Sequence, residues 1–385
     1  MPCSVRLKQD LVCEDGGVQR TEAVVDLGAI RDNLRTLKAG TAADVLAVVK
    51  ADGYGHGLVP SARAALEGGA TWLGTAIVDE ALALRAAGID VPILAWLWTP
   101  DEADTVARAL AAGIDVTVNN PWQLDAVVAA ARASGTSARI HLKVDTGLSR
   151  NGSYIDDWPD LVTAASKAQS GGEVSVVGVW SHFVYADAPG HPTIGKQISA
   201  FTDALEVAAR GGIEPQLRHL ANSAATLTLP EAHFDLVRPG IAVYGLSPVE
   251  GDFGLTPAMT LRAAAASVKR VRAGEGVSYG HEYTTARDTT LVLVPLGYAD
   301  GVPRHASNVG PVWVNGRRFT IAGRVCMDQI VVDVGDLEVA PGDPVVLFGS
   351  GRDGEPTAQD WADAVGTIHY EIVTRVGPRV ARVYV

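Results

Sequence analysis

The sequence predicts an α/β fold: an N-terminal (β/α)8 TIM-like barrel followed by a mostly antiparallel β domain. From residue 45 to about 245, short β-branched runs alternate with longer Ala/Leu-rich segments of helical period, the pattern of repeated βα units around a parallel sheet. After Pro257 helical period largely vanishes, and β-rich runs are punctuated by Gly, Pro and Asp turns.

Eight strands are counted in the first part: VLAVVK (45–50), WLGTA (72–76), PILAWLW (92–98), DVTVN (115–119), RIHLKVD (139–145), VVGVWSHF (176–183), LRHLANS (217–223) and LVRPGIAVYG (236–245). Helices are expected between them, among others at 79–87, 101–112, 121–134 and 194–210. Gly88 and Gly113, each just after an Ala-rich stretch, are expected helix C-caps that turn the chain into the next strand. Eight repeats in this length suit a closed barrel, which uses about 250 residues by itself. In the second part TLVLVPL (290–296), PVWVNGRRFTIAG (311–323), QIVVDVG (329–335) and PVVLFG (344–349) read as strands. The aperiodic SPVEGDFGLT (247–256) lies at the boundary. The expected division is a disordered leader at 1–22, a barrel at 23–252 and a β-rich domain at 253–385.

Composition narrows the function. The 385 residues carry 32 Lys plus Arg against 44 Asp plus Glu, a formal charge of -12, with no dense basic run, which argues against nucleic acid as a partner. The three cysteines, Cys3, Cys13 and Cys326, are too sparse for a disulfide scaffold and are not spaced as zinc ligands. Reduced thiols, a cytoplasmic location and no metal are therefore expected. The longest apolar runs, such as VPILAWLW (91–98), fall short of the roughly 18 residues of a membrane-spanning helix. The N-terminus contains no apolar stretch of the secretory kind.

Barrel enzymes place their chemistry at the C-terminal ends of the strands. Lys50 ends an apolar run and is followed by ADGYGHG, whose Gly53, Gly55 and Gly57 allow tight turning and close approach to a ligand. Desolvation of a lysine there favours the neutral amine that Schiff-base chemistry needs.

The string VVKADGYGHG (48–57) closely resembles the pyridoxal-phosphate lysine motif of alanine racemases, themselves a barrel plus a β domain. LKVDTGLSRNG (142–152), WSHF (180–183), HLANSAA (219–225), RPGIAVYG (238–245), SYGHEYT (278–284), GYADG (297–301), CMDQ (326–329) and HYE (369–371) resemble the same family in order and approximate spacing. The resemblance implies a homodimeric isomerase that racemises a small amino acid, alanine foremost, with pyridoxal 5′-phosphate, and supplies D-alanine as a cell-wall precursor. A racemase of serine, or a binding protein that sequesters a cyclic alanine analogue, is the alternative.

The resemblance also implies roles. Lys50 holds the cofactor as an internal aldimine and acts as one acid/base group. Tyr279, from the partner's β domain, acts on the opposite face. Arg238 faces the pyridine nitrogen, oriented by His219, and His182 lies against the ring. An arginine there is always charged and only donates, so the ring nitrogen stays unprotonated and transamination is suppressed. Tyr54, Ser223, Gly240, Ile241 and Tyr370 hold the phosphate, with Asn222 beside it. Arg150, Met327 and Asp328 meet the substrate carboxylate. Tyr298, Arg304 and Asp187 form an entry gate. Lys143 matches a lysine carbamylated in many members; an unmodified lysine with a bound anion is the other possibility. Ser149 and Asn151 replace a glycine and an aliphatic residue of the commonest motif, which implies altered geometry around Arg150.

Overall fold

The computed structural model describes residue 18 and residues 20–385, and it divides into two compact units. The expected leader falls largely on residues outside those described. Among the described residues no helix is long and apolar enough to cross a membrane.

The first unit, Gly28–Thr256, is the expected parallel barrel. Its strands are β2 (Asp44–Val48), β3 (Trp72–Ile77), β4 (Ile93–Leu97), β5 (Asp115–Val118), β6 (Ala138–Lys143), β7 (Val174–Trp180), β8 (Leu217–His219) and β9 (Leu236–Val237), numbered after a first strand β1 (Thr21–Val25) that belongs to the second unit. The sheet runs β8-β7-β6-β5-β4-β3-β2-β9. No ladder joins β8 to β9; single bonds close the ring instead, from Asp235 N to Arg218 O (3.1 Å) and Arg238 N to Ala221 O (2.9 Å). These last two strands are shorter than the sequence suggested. Asn222 caps the helix Ser223–Thr228, its Oδ1 accepting from Ala225 N at 3.1 Å, and Pro239 offers no N–H to prolong a ladder.

Local chemistry explains the helices. Pro121 opens Pro121–Ser134 where no amide donor is required, Asn120 caps it, and Gly135 ends it at φ 67°. Gly88 and Gly113 take φ 79° and 68° just beyond their helices, the left-handed turn expected of them. Val45, Leu46, Ala47, Leu73, Ile93 and Leu94 have no exposed surface. Each fully buried large side chain contributes about 1.5–3 kcal/mol.

The second unit comprises Pro257–Val385 together with β1. Its further strands are β10 (Met259–Ala264), β11 (Ser267–Val271), β12 (Gly276–Val277), β13 (Tyr283–Thr284), β14 (Thr289–Val294), β15 (Pro311–Val314), β16 (Arg317–Thr320), β17 (Ile330–Gly335), β18 (Pro344–Phe348) and β19 (Ala381–Tyr384). They form sheets ordered β16-β15-β18-β10-β1-β19, β11-β14-β17 and β12-β13. All pairs are antiparallel except β1 with β19.

Here the structure departs from the sequence boundaries at 22/23 and 252/253. Strand β1 is an inner strand of the six-stranded sheet, because both its edges are taken, by β10 and β19, and Ala23 and Val25 are completely buried. Two helices also interrupt the β texture, Ala358–Val365 and His369–Thr374. The first starts with a reciprocal capping box between Thr357 and Asp360.

Asn33 shows how the barrel's first helix is pinned. Its Nδ2 donates to Val243 O (3.2 Å) and Thr256 O (2.8 Å), and its Oδ1 accepts from Thr256 N (2.7 Å), with Asn33 itself buried. Asn33→Leu strands these backbone groups, so we expect a loss of about 2–4 kcal/mol, read as a lower urea midpoint for barrel unfolding.

Candidate active site

The barrel gathers its polar side chains at the carboxyl ends of its strands. Lys50 follows β2, Lys143 ends β6, His182 lies just past β7, His219 ends β8 and Arg238 follows β9. Arg150 sits in the loop after β6 and is exposed.

Lys50 begins a left-handed turn. Ala51, Asp52, Gly53 and Tyr54 have φ 54°, 54°, 62° and 52°. A non-glycine residue pays about 1–2 kcal/mol for that conformation, so something must hold it. Glu80 does: Asp52 N donates to its Oε1 at 3.1 Å, and the amide of Ala51 also bonds to this carboxyl group. Asp52 Oδ1 in turn accepts from Leu58 N at 2.7 Å. The turn aims the lysine stem inward, with Nζ 5.8 Å from both the Tyr54 and Trp96 ring centroids. Burial, then the charge of Arg150, lower the Lys50 pKa, while Glu80 opposes them.

Lys143 is 3% exposed and lies 4.4 Å over the Trp180 ring. Burial, followed by repulsion from Arg238 and Arg150, lowers its amine from 10.5 to about 7. The buried Arg238 guanidinium is lowered by desolvation from 12.5 to about 9. Its Nη2 donates to Ser181 O (2.8 Å), Leu220 O (3.3 Å) and His182 Nδ1 (3.3 Å), and Nη1 meets His219 Nδ1 at 3.3 Å. His182 and His219 are both held well below the usual imidazole range, by burial first and Arg238 second. Both are thus neutral rings whose Nδ1 accepts from Arg238.

Arg150 rides on a loop organised by Asp145, whose Oδ1 accepts from the amides of Gly147 (2.9 Å), Leu148 (2.9 Å) and Ser149 (3.1 Å). Ser149 stands at φ 54°, in the left-handed region that favours the glycine it replaces. Asn151 Oδ1 accepts from Asn119 Nδ2 at 2.6 Å, a polar anchor in place of an aliphatic one.

Two hydroxyls converge on the backbone after β9. Ser223 Oγ accepts from Gly240 N (2.7 Å) and Ala242 N (3.3 Å), which leaves its own proton to donate. A Cβ at Gly240 would sit 2.3 Å from Tyr54 Oη, so glycine is required for this approach. Ile241 opens the short turn Ile241–Tyr244 beside it. Asp187 is exposed in the loop after β7.

The remaining candidates belong to the β unit. Tyr279 lies in the turn Tyr279–His281 and is 72% exposed, so it is not a packed β-domain aromatic. Tyr298 and Met327 are also exposed and come from adjoining loops, since Tyr298 N donates to Cys326 O (3.0 Å) and Ala299 N to Met327 O (2.9 Å). Asp328 is ion-paired with Arg379 at 2.7 Å. Arg304 is exposed, and Tyr370 lies in His369–Thr374 with its ring 5.0 Å from that of His369.

The barrel therefore brings Lys50, Lys143, Arg150, His182 and Arg238 into mutual electrostatic range. Glu80 and Asp145 are the carboxylates that raise the two lysines against this field. Such a donor set fits a phosphorylated, aldehyde-bearing cofactor: cations and hydroxyl groups for the anion, and an amine of lowered pKa for the carbonyl. Sequence reasoning missed Glu80, Trp96, His141 and Asp115. The signal for His141 was the alternation Arg139, His141, Lys143 on one face of β6.

Comparison with known proteins is extensive. The family model "Alanine racemase, N-terminal domain" matches residues 25–248, and "Alanine racemase, C-terminal domain" matches 258–384. Alanine racemase of Salinispora arenicola (strain CNS-205) is 63% identical over 367 residues, covering 95% of this chain and 98% of the relative. The crystal structure of alanine racemase from D-cycloserine producing Streptomyces lavendulae has a TM-score of 0.93 at 56% identity, covering 95% of this chain and 97% of that one. The Clostridium difficile 630 alanine racemase complex with cycloserine has a TM-score of 0.84 at 32% identity, with 95% of both chains covered.

The Lys143 amine gives a pH signature. Its lowered value means that the folded protein binds fewer protons than the unfolded chain between about pH 7 and 10.5. Stability contributed at this site therefore rises with pH across that window, by up to about 1.4 kcal/mol per pH unit. In cofactor-free protein and carbon-dioxide-free buffer, the melting temperature of Lys143→Met should rise less between pH 7 and 10 than that of the parent.

Proposed function

The chain belongs to the alanine racemase family, and on that premise we propose that it interconverts L-alanine and D-alanine at the C-terminal mouth of its barrel. The family is pyridoxal 5′-phosphate dependent. The observation that carries the reading is the gathering of Lys50, Lys143, Arg150 and Arg238 at the barrel mouth, with both amines lowered in pKa.

When bound, the cofactor supplies an aldehyde that captures the amino group and a conjugated ring that acidifies the α-hydrogen. Lys50 Nζ takes or returns that hydrogen on one face, helped by the burial that lowers its affinity for a proton. The Tyr279 hydroxyl, exposed on its own unit, performs the same work on the opposite face when contributed by the partner of a homodimer. Arg238 would meet the ring nitrogen with N–H groups and no acceptor, and His182 would support the ring. Tyr54, Ser223, Gly240, Ile241 and Tyr370 would hold the phosphate, with Asn222 alongside. Arg150 and the Met327 amide would meet the substrate carboxylate, with the Asp328 side chain, ion-paired to Arg379, near it. Carbamylation of Lys143 would turn a cation crowded by Arg238 and Arg150 into an anion, and an amine of lowered pKa is the nucleophile that reaction needs. Tyr298, Arg304 and Asp187 form the gate. The proposed setting is the cytoplasm, where D-alanine feeds wall synthesis.

Because the two enantiomers have equal free energy, loss of one base must lower kcat/KM equally in both directions. Isotope exchange separates the bases. Tyr279→Phe should lose racemisation by about 10²–10⁴-fold, yet exchange the α-hydrogen with deuterated water for one enantiomer only. Exchange that persists for both enantiomers refutes the two-base assignment.

A mixing experiment tests the shared site. Lys50→Ala and Tyr279→Phe, each inactive alone, should regain racemase activity when unfolded and refolded together, because a hybrid dimer has one site with both bases intact. A mixture as inactive as its parents refutes the exchange of residues between protomers.

A further inference from the structure

We propose that Asp115 and His141, which lie behind the site, are positioning residues that fix the tautomer of His219 and so hold the Arg238 fork as a one-way donor. This rests on the racemase reading above.

Asp115 is fully buried at the start of β5 and makes two bonds with Arg139, Nε to Oδ1 at 2.8 Å and Nη2 to Oδ2 at 3.0 Å. Its Oδ2 lies 3.2 Å from His141 Nε2. A carboxylate only accepts, so a His141 ring with one proton carries it on Nε2, and its Nδ1 is an acceptor. His219 Nε2 lies 2.9 Å from that Nδ1 and must therefore carry a proton. His219 Nδ1 is left as the acceptor for Arg238 Nη1, 3.3 Å away. One fixed acceptor thus sets the direction of every bond up to the guanidinium.

The fold makes room for this line. His141 is on β6 and His219 on β8, so their bond must pass β7. It does so at Gly178, where a Cβ would sit 2.3 Å from His141 Nδ1. The rings are also held in plane: Trp180 stacks on His219 at 5.5 Å and 6°, and Trp72 meets the edge of His141 at 5.6 Å and 76°.

Stability alone is a poor reason for such an arrangement, since buried ionic networks often do no better than apolar packing of equal volume. What the line supplies is direction. With the opposite tautomer, an N–H of His219 would face an N–H of Arg238, and the fork would be displaced from the place where the ring nitrogen is met.

Asp115→Asn tests this in the cofactor-loaded enzyme, because an amide of the same shape can donate to His141 and reverse the line. We expect a rise of roughly tenfold or more in the ratio of transamination to racemisation, by the same tautomer logic that makes an Asp→Asn change costly in hydrolytic triads. In that side reaction alanine leaves as pyruvate while its amino group remains on the cofactor, so the aldehyde absorbance falls as pyruvate accumulates. Arg139→Gln, which retains the carboxylate, should keep the parental ratio. An unchanged ratio in folded, cofactor-loaded Asp115→Asn, or an equal rise in Arg139→Gln, overturns the proposal. Should Asp115→Asn not fold, ¹⁵N NMR of histidine-labelled parental holoenzyme decides: protons on Nε2 of both His141 and His219 are required, and one on Nδ1 of either overturns it. If the parental enzyme does not racemise alanine, the functional reading itself fails; if it does and the ratio is unmoved, only the positioning role is lost.

Discussion

Like charges crowded into a desolvated space set the terms for the rest of the barrel mouth. Lys143 is repelled by Arg238, Arg150 and Lys50, and His182 by all four of those cations. At an effective dielectric of about 20, two unit charges 4 Å apart cost about 4 kcal/mol. A protein optimised for stability alone would not keep such a cluster. It responds in three ways: the amines give up proton affinity, the imidazoles stay neutral, and the guanidinium spends its donors on carbonyl oxygens and ring nitrogens. An anion arriving at this mouth relieves a stress that is already present.

Backbone strain points to the same place. Three non-glycine residues in a row of four left-handed ones follow Lys50 directly, and Ser149 takes the same conformation just before Arg150. Each is held by a carboxylate that binds loop amides, Glu80 in the first case and Asp145 in the second. Strain of this kind persists only where its surroundings over-determine it, and it gathers where geometry has to be exact to a fraction of an ångström. The two acidic groups closest to the cations are therefore engaged in aiming them as well as in partial neutralisation.

The sequence disclosed the architecture well and its edges poorly. All eight barrel strands were legible because parallel strands buried on both faces read as continuous β-branched runs. The last two were overcounted, since the signals that end them, the cap at Asn222 and the missing donor at Pro239, lie inside otherwise apolar strings. Strand β1 was not among the strands read from the sequence, because a five-residue run carries no information about partners more than 230 residues away. Motif residues on the barrel were legible one by one, yet their coupling was not. Nothing in one dimension says that the glycine at 178 clears a path between His141 and His219, or that Glu80 reaches the amides beyond Lys50.

The magnitudes also explain why one electrostatic field can give two kinds of residue opposite fates. Burial and crowding bring Lys143 to about 7, and they move Lys50 the same way. Burial lowers Arg238 only to about 9. That is still well above neutral pH, so the guanidinium keeps its charge. Replacing Arg238 by lysine would therefore not conserve its character: a lysine in that desolvated position would become another reactive amine. The delocalised cation withstands the environment that makes nucleophiles of its neighbours, and that difference lets a site built from positive groups contain both a proton carrier and a permanent donor.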